Sequence, residues 1–207
     1  MSNKYDSIIF DLDGTLWDTV DCVVEIWNAA LVKAGIEPTL NYDELSRCMG
    51  LRIGQIFDRV IPQATAGQRS LIQETIAGTE QAILAKKGGI LYGKVEETLA
   101  ALMKTHRLFI ISNCQEGYIN AFFEAHDMRK YFEDYECAGR TGKSKGENIR
   151  LLAERCGLER PVYIGDTVYD YEATTEAGVP FIHAAYGFGK VDCEVKANSF
   201  EEIPKLV

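Results

Sequence analysis

The stretch Ile8-Ile9-Phe10-Asp11-Leu12-Asp13-Gly14-Thr15-Leu16 decides the reading of this chain. Ser7-Ile8-Ile9-Phe10 is a short, nearly unbroken apolar run, which suits a strand buried on both faces of a parallel sheet better than one alternating between core and solvent. Two carboxylates follow, two residues apart, where that strand ends. Ligands of open parallel sheets bind beyond the carboxyl ends of the strands. Alternation along an extended chain predicts Asp11 and Asp13 towards one side, and Gly14 supplies the backbone freedom of the turn. A capped loop, its carboxylates accepting main-chain hydrogen bonds, explains an Asp-x-Asp-Gly turn equally well. The choice therefore rests on the rest of the sequence.

Working outward, residues 108–111, 161–164 and 179–182 read as further strands. Stretches of helical length lie between or beside them at 116–125, 145–156 and 168–177, the last stopped by Gly178. This alternation predicts an α/β fold, a Rossmann-like core with a parallel sheet. Residues 18–87 break the rhythm. Segments 22–31 and 68–86 fit amphipathic helices, and Gly35, Pro38, Gly50, Pro62 and Gly67 mark the joints. The predicted organisation is a core domain of residues 1–16 and 89–207 with an inserted helical cap domain, 17–88.

The bulk properties narrow the function classes. A chain of 207 residues holds one core with a modest insertion. Its 46% hydrophobic and 26% charged residues describe an ordinary globular protein. A net charge of -9 argues against nucleic acid as a partner, since phosphate backbones are bound by clustered Lys and Arg. Met1-Ser2-Asn3-Lys4-Tyr5-Asp6 lacks the pattern of a signal peptide, and no apolar run approaches the roughly 20 residues that span a bilayer. The expectation is a cytoplasmic protein that acts away from membranes, as a monomer or homodimer. The six cysteines occur singly, which predicts reduced thiols rather than a zinc site or a disulfide framework. His106, His126 and His183 show no metal-ligand spacing and read as structural or surface residues.

Three more polar clusters follow predicted strands or precede helices. Ser112-Asn113 succeeds the strand at 108–111 and alone reads as a helix cap. Lys143 and Lys145 precede a helix, where a surface lysine is the ordinary explanation. Gly165-Asp166-Thr167-Val168-Tyr169-Asp170 succeeds the strand at 161–164, and its carboxylates suit a helix start.

Taken in order with Asp11 and Asp13, these clusters make the chain resemble the haloacid dehalogenase-like hydrolases, in particular the phosphoglycolate-phosphatase-like branch with a helical cap. The resemblance spans nearly the whole chain. It implies a phosphatase for a small-molecule phosphate ester, with Asp11 as nucleophile and Asp13 as acid and base. Ser112 and the main-chain N–H of Asn113 would bind the phosphoryl oxygens. Lys145, with Lys143 as the alternative, would balance charge, although the family's usual proline after this lysine is Gly146 here. Mg2+ would be held by Asp11, Asp166 and the main-chain carbonyl of Asp13, with Asp170 behind. The cap would act as a lid. Within it, Ser46-Arg47-Cys48-Met49-Gly50-Leu51-Arg52 resembles the segment that faces the site, so Arg47 and Arg52 are candidates for substrate contact. Three readings compete: a sugar-phosphate mutase of the β-phosphoglucomutase kind, a dehalogenase, and a silent binding protein that keeps the fold.

Overall fold

A computed structural model describes residues 4–207. Met1, Ser2 and Asn3, on which the expectation about a signal peptide partly rests, lie outside the described residues. In chain order the elements are β1 (Ser7–Phe10), β2 (Trp17–Asp18), α1 (Val20–Lys33), α2 (Tyr42–Ser46), α3 (Ile53–Val60) and α4 (Ala66–Lys87). Then come β3 (Ile90–Leu91), α5 (Val95–Leu102), β4 (Arg107–Ser112), α6 (Tyr118–His126), β5 (Asp134–Cys137) and α7 (Ala138–Thr141). Last are α8 (Lys145–Cys156), β6 (Pro161–Gly165), α9 (Val168–Ala177), β7 (Phe181–Ala184) and β8 (Lys196–Ala197), with short 3-10 turns at Arg129–Tyr131 and Phe200–Lys205.

Six strands form one parallel sheet in the order β5-β4-β1-β6-β7-β8. β1 is central because its residues bury on both faces. Ile8 and Phe10 join the larger core with Val95, Leu99 and Phe122, while Ile9 points the other way, to Ile149 and Leu152 of α8 and Ala173 of α9. All three strand residues are fully buried, and burial of each such side chain is worth about 1.5–3 kcal/mol. The topology reverses at β1: β4 and β5 lie to one side, β6, β7 and β8 to the other. This switch point opens a crevice beyond the carboxyl ends of β1, β4 and β6.

Helices α1 to α4 fill the stretch between β2 and β3, which pair antiparallel through Trp17↔Leu91 and Asp18↔Ile90. The insertion thus leaves and returns through one two-stranded ribbon. Trp17, fully buried, anchors the ribbon by edge contacts with Tyr118 and Phe122, with ring centroids 5.8 and 5.1 Å apart. Thr65 and Gln68 form a capping box that starts α4, and Gly88, with φ of +70°, ends it. Among the described residues no helix is long and apolar enough to cross a membrane.

Candidate active site

Asp11 is the first residue past β1, and its N–H still donates to the Ile164 carbonyl of β6 at 2.8 Å. The strand ladder therefore fixes where its carboxylate stands. Lys145, in the first turn of α8, donates from Nζ to Asp11 Oδ1 at 2.9 Å and to Asp170 Oδ1 at 2.6 Å. Ser144 and Glu147 form a capping box that sets the start of α8 and hence the reach of Lys145. Lys143 is exposed, and its carbonyl accepts a hydrogen bond from Arg52. The structure thus brings Lys145, not Lys143, to Asp11.

Asp166 follows β6 and is fully buried. Its Oδ2 accepts from the Phe188 N–H at 2.8 Å, while Oδ1 is buried without a partner among the described residues. Asp170, one turn into α9, is saturated: Thr167 donates to Oδ2 from N–H and Oγ1, and Lys145 and Tyr163 donate to Oδ1. Asp11, Asp166 and Asp170 each present an oxygen within 4.8 Å of the others.

Three buried carboxylates with one lysine are short of positive charge. Burial, with the charge of Asp170, pushes the Asp11 carboxyl up to about 7 against the opposing pull of Lys145. Burial, followed by the charges of Asp170 and Asp11, pushes Asp166 well above the usual carboxylate range. For Lys145 burial works against the ammonium, but Asp11 and Asp170 outweigh it and hold the group protonated. The orphaned Asp166 oxygen and this surplus of carboxylate fit a small hard cation, which takes oxygen ligands. Asp11 and Asp166 are the side chains with free oxygens for it. The Asp13 carbonyl also accepts no hydrogen bond among the described residues.

Glycine is required where the turn meets Asp166. Gly14 has φ of +82°, and a Cβ there would lie 2.2 Å from Asp166 Oδ2.

Asp11 and Asp13 open on the same side, as their spacing predicts, but take different partners. After Leu12 the chain turns out of the extended conformation, so Asp11 faces Lys145 while Asp13 faces α6. Thr19 Oγ1 and Tyr118 OH both donate to Asp13 Oδ1 at 2.9 Å, and they lie 2.8 Å from each other. The Trp17 indole N–H also favours the charged form of this carboxyl. Burial raises the Asp13 carboxyl to about 6, tempered first by Thr19 and Tyr118 and then by the Trp17 indole. Asp11 and Asp13 line one cavity, together with Ser112 and Asn113. Ser112 Oγ accepts from the Cys114 N–H at 3.2 Å, which leaves its own proton to donate.

The cap contributes much of this cavity's lining, with Met49, Gly50 and Leu51 among the residues it brings. Asn113 Nδ2 donates to the Gly50 carbonyl at 2.8 Å, tying cap to core. The arginines expected to meet substrate are not brought there. Arg47 is exposed, and neither it nor Arg52 lines the cavity. Arg52 instead donates to the Gly142 and Lys143 carbonyls at 2.8 and 2.6 Å, because the start of α3 places it over the loop before α8.

Several residues around the site had no part in the sequence reading. Thr19 and Tyr118 carry no motif and meet Asp13 only through the fold. Phe188 could have been suspected, since Gly187 and Gly189 flank it and paired glycines mark close backbone approach; a Cβ at Gly187 would lie 2.2 Å from the Gly14 carbonyl. Cys114 lines the cavity, but burial holds its thiol well above the usual range, so it is a poor nucleophile.

The likeness to known proteins agrees with this geometry. The chain is 26% identical to phosphoglycolate phosphatase of Escherichia coli (strain K12) over 218 residues, covering 90% of this chain and 84% of that protein. It is 24% identical to phosphoglycolate phosphatase of Salmonella typhimurium, covering 87% and 81%. Among solved structures, a haloacid dehalogenase-like family hydrolase from Streptococcus pneumoniae superposes with a TM-score of 0.83 at 18% identity, covering 98% of each chain. A variant of CbbY from Rhodobacter sphaeroides in complex with xylulose-1,5-bisphosphate gives 0.81 at 18% identity, covering 96% of each. The sequence model of one family, described as haloacid dehalogenase-like hydrolase, matches residues 8–184. With a match over most of its length and the core that such proteins share, the chain belongs to the haloacid dehalogenase-like hydrolases.

Proposed function

We propose that this chain is a magnesium-dependent phosphatase that takes the phosphoryl group of a small-molecule phosphate monoester onto Asp11 and passes it to water. The observation that carries the reading is a buried carboxylate at the switch point of the sheet, one oxygen held by Lys145 and the other free, beside the unpartnered oxygen of Asp166. Phosphoryl transfer needs chiefly positioning and charge neutralisation, and this arrangement provides both. The curated relatives, phosphatases at 24–26% identity, support the reaction class; their substrate is not carried over with it.

Asp11 Oδ2 attacks phosphorus as the bond to the leaving alcohol breaks. The alcohol oxygen takes its proton from Asp13, whose Oδ1 is held by Thr19 and Tyr118. Asp13, now a carboxylate, accepts a proton from the water that cleaves the aspartyl-phosphate, and inorganic phosphate leaves. Ser112 and the Asn113 N–H donate to phosphoryl oxygens, and Lys145 offsets negative charge at Asp11. Bound Mg2+ supplies further charge neutralisation and orients the phosphoryl group, held by Asp11, Asp166 and the Asp13 carbonyl. Asp170 anchors Lys145 from behind. The 17–88 insertion is the cap, and its Gly50 loop shields the cavity from bulk water.

The test is release of inorganic phosphate from a panel of metabolite phosphate esters, with Mg2+ and with a chelator. Turnover that needs Mg2+ and is lost in Asp11→Asn supports the reading. Sugar-phosphate isomerisation without phosphate release, or no reaction with any divalent ion, overturns it.

A further inference from the structure

The leaving-group end of the cavity carries information about the substrate that the catalytic residues do not. Beyond Asp13 and Ser112 its wall is built by the cap, mainly from Trp27, Ile53, Ile56 and Ile76. No Lys, Arg or His lines it. One cap carboxyl does: Glu80, on α4, only 8% exposed and without hydrogen-bond or ion-pair partner among the described residues. A buried carboxyl without a partner costs stability unless something else satisfies it. Its neighbours are no help to the fold, since helix α4 buries Ile72, Ile76 and Leu84 along the same face. It lines the same cavity as Asp11, Asp13 and Ser112.

We propose that Glu80 is a specificity-determining residue that selects phosphate monoesters whose leaving alcohol carries a hydrogen-bond-donating hydroxyl or ammonium group on a hydrocarbon body, and that rejects leaving groups bearing a second anion, phosphoglycolate included. The inference rests on the phosphate being seated at Asp11. A carboxylate on the leaving group would enter a largely apolar wall with no cation to meet it and with the Glu80 carboxyl lining the same space, an unpaired buried charge. A donor would satisfy Glu80 and be satisfied by it. Hydroxyl and ammonium share this donor chemistry. Burial raises the Glu80 carboxyl to about 8, so the group accepts a donor without first giving up strong hydration. The neutral acid can also donate, but a site that only donated would favour the carboxylate ester, which separates the two cases by experiment.

The test is calorimetric binding of four matched esters to Asp11→Asn, which cannot turn them over: ethyl phosphate, 2-hydroxyethyl phosphate, 2-aminoethyl phosphate and 2-phosphoglycolate. The hydroxyl and amine esters should bind about tenfold or more tighter than 2-phosphoglycolate. Adding Glu80→Gln should narrow that gap to about threefold or less, while the affinity for ethyl phosphate stays within about twofold. The hydroxyl and amine arms then tell which donor is preferred. Phosphoglycolate binding as tightly as the donor esters, or a gap that Glu80→Gln leaves unchanged, overturns the inference. If the predicted order of binding holds but the native chain hydrolyses none of these esters, the phosphatase reading fails and the selectivity of Glu80 stands.

Discussion

Lys145 and Asp11 lie 134 residues apart in the chain and 2.9 Å apart in space, both almost fully buried. The contact exists because the end of β1 and the start of α8 open on the same crevice. It is also fragile, since Lys145 is the only cation that contacts Asp11 or Asp170 among the described residues. Removing one partner of a buried ion pair leaves an uncompensated charge at a cost of about 3–5 kcal/mol. Lys145→Met should therefore lose stability of that order in urea unfolding, and phosphate release should fall about 100-fold or more. Lys143→Met, an exposed change, should leave both measurements near the native values.

Asp13 is held by a triangle rather than by one bond. Thr19 and Tyr118 both donate to Oδ1, so they set the orientation and proton affinity of the proposed acid and base. Tyr118→Phe should lower kcat about tenfold with KM within about threefold of native, as expected for a group that acts in the transition state. Thr19→Val should do the same. The double variant should fall short of the product of the two, because the residues share one acceptor and touch each other.

Glu80 makes stability depend on pH. Burial, with the charge of Asp13, pushes its folded-state carboxyl up to about 8, against an ordinary value of 4.5. The folded protein therefore holds a proton that the unfolded chain releases, and stability from this group is present below about 4.5 and lost as pH rises towards 8. Glu80→Gln removes that loss. The variant should gain on the native protein steadily between pH 5 and pH 8 in thermal unfolding, and the difference should level off above that range. A difference independent of pH would count against the buried carboxyl.

The surplus of carboxylate around Asp166 predicts a response to metal that needs no turnover. Saturating Mg2+ should raise Tm by about 5 °C or more, through binding to the folded state alone. Asp166→Asn should abolish most of that rise. Gly14→Ala should do likewise, because its added Cβ collides with Asp166 Oδ2.

Much of this fold could be read from apolar runs. The strands at β1, β4, β6 and β7 were legible because both faces are buried, and α8 and α9 because helix starts and glycine stops are written in local chemistry. β5 was not. Its sequence, Asp134-Tyr135-Glu136-Cys137, looks like loop, since Glu136 is buried only by virtue of Arg140 and Arg155, which reach it from α7 and α8. The carboxylates of the candidate site stood out for the same reason as the strands, because each follows an apolar run. Their mutual distances did not. Nor did the roles of Thr19, Tyr118 and Glu80, which depend on how the cap lies on the core. Arg52 shows the converse: its hydrogen bonds to the Gly142 and Lys143 carbonyls hold it away from the cavity, and Arg47 stands exposed outside it.

The central claim is that Asp11 becomes covalently phosphorylated. The direct measurement is a single-turnover reaction with Mg2+ and a chromogenic phosphate ester, quenched in acid, digested and examined by mass spectrometry. A phosphoryl adduct on the peptide containing Asp11, absent from Asp11→Asn, is the predicted result. An adduct on another residue, or native-rate phosphate release by Asp11→Asn, would contradict it.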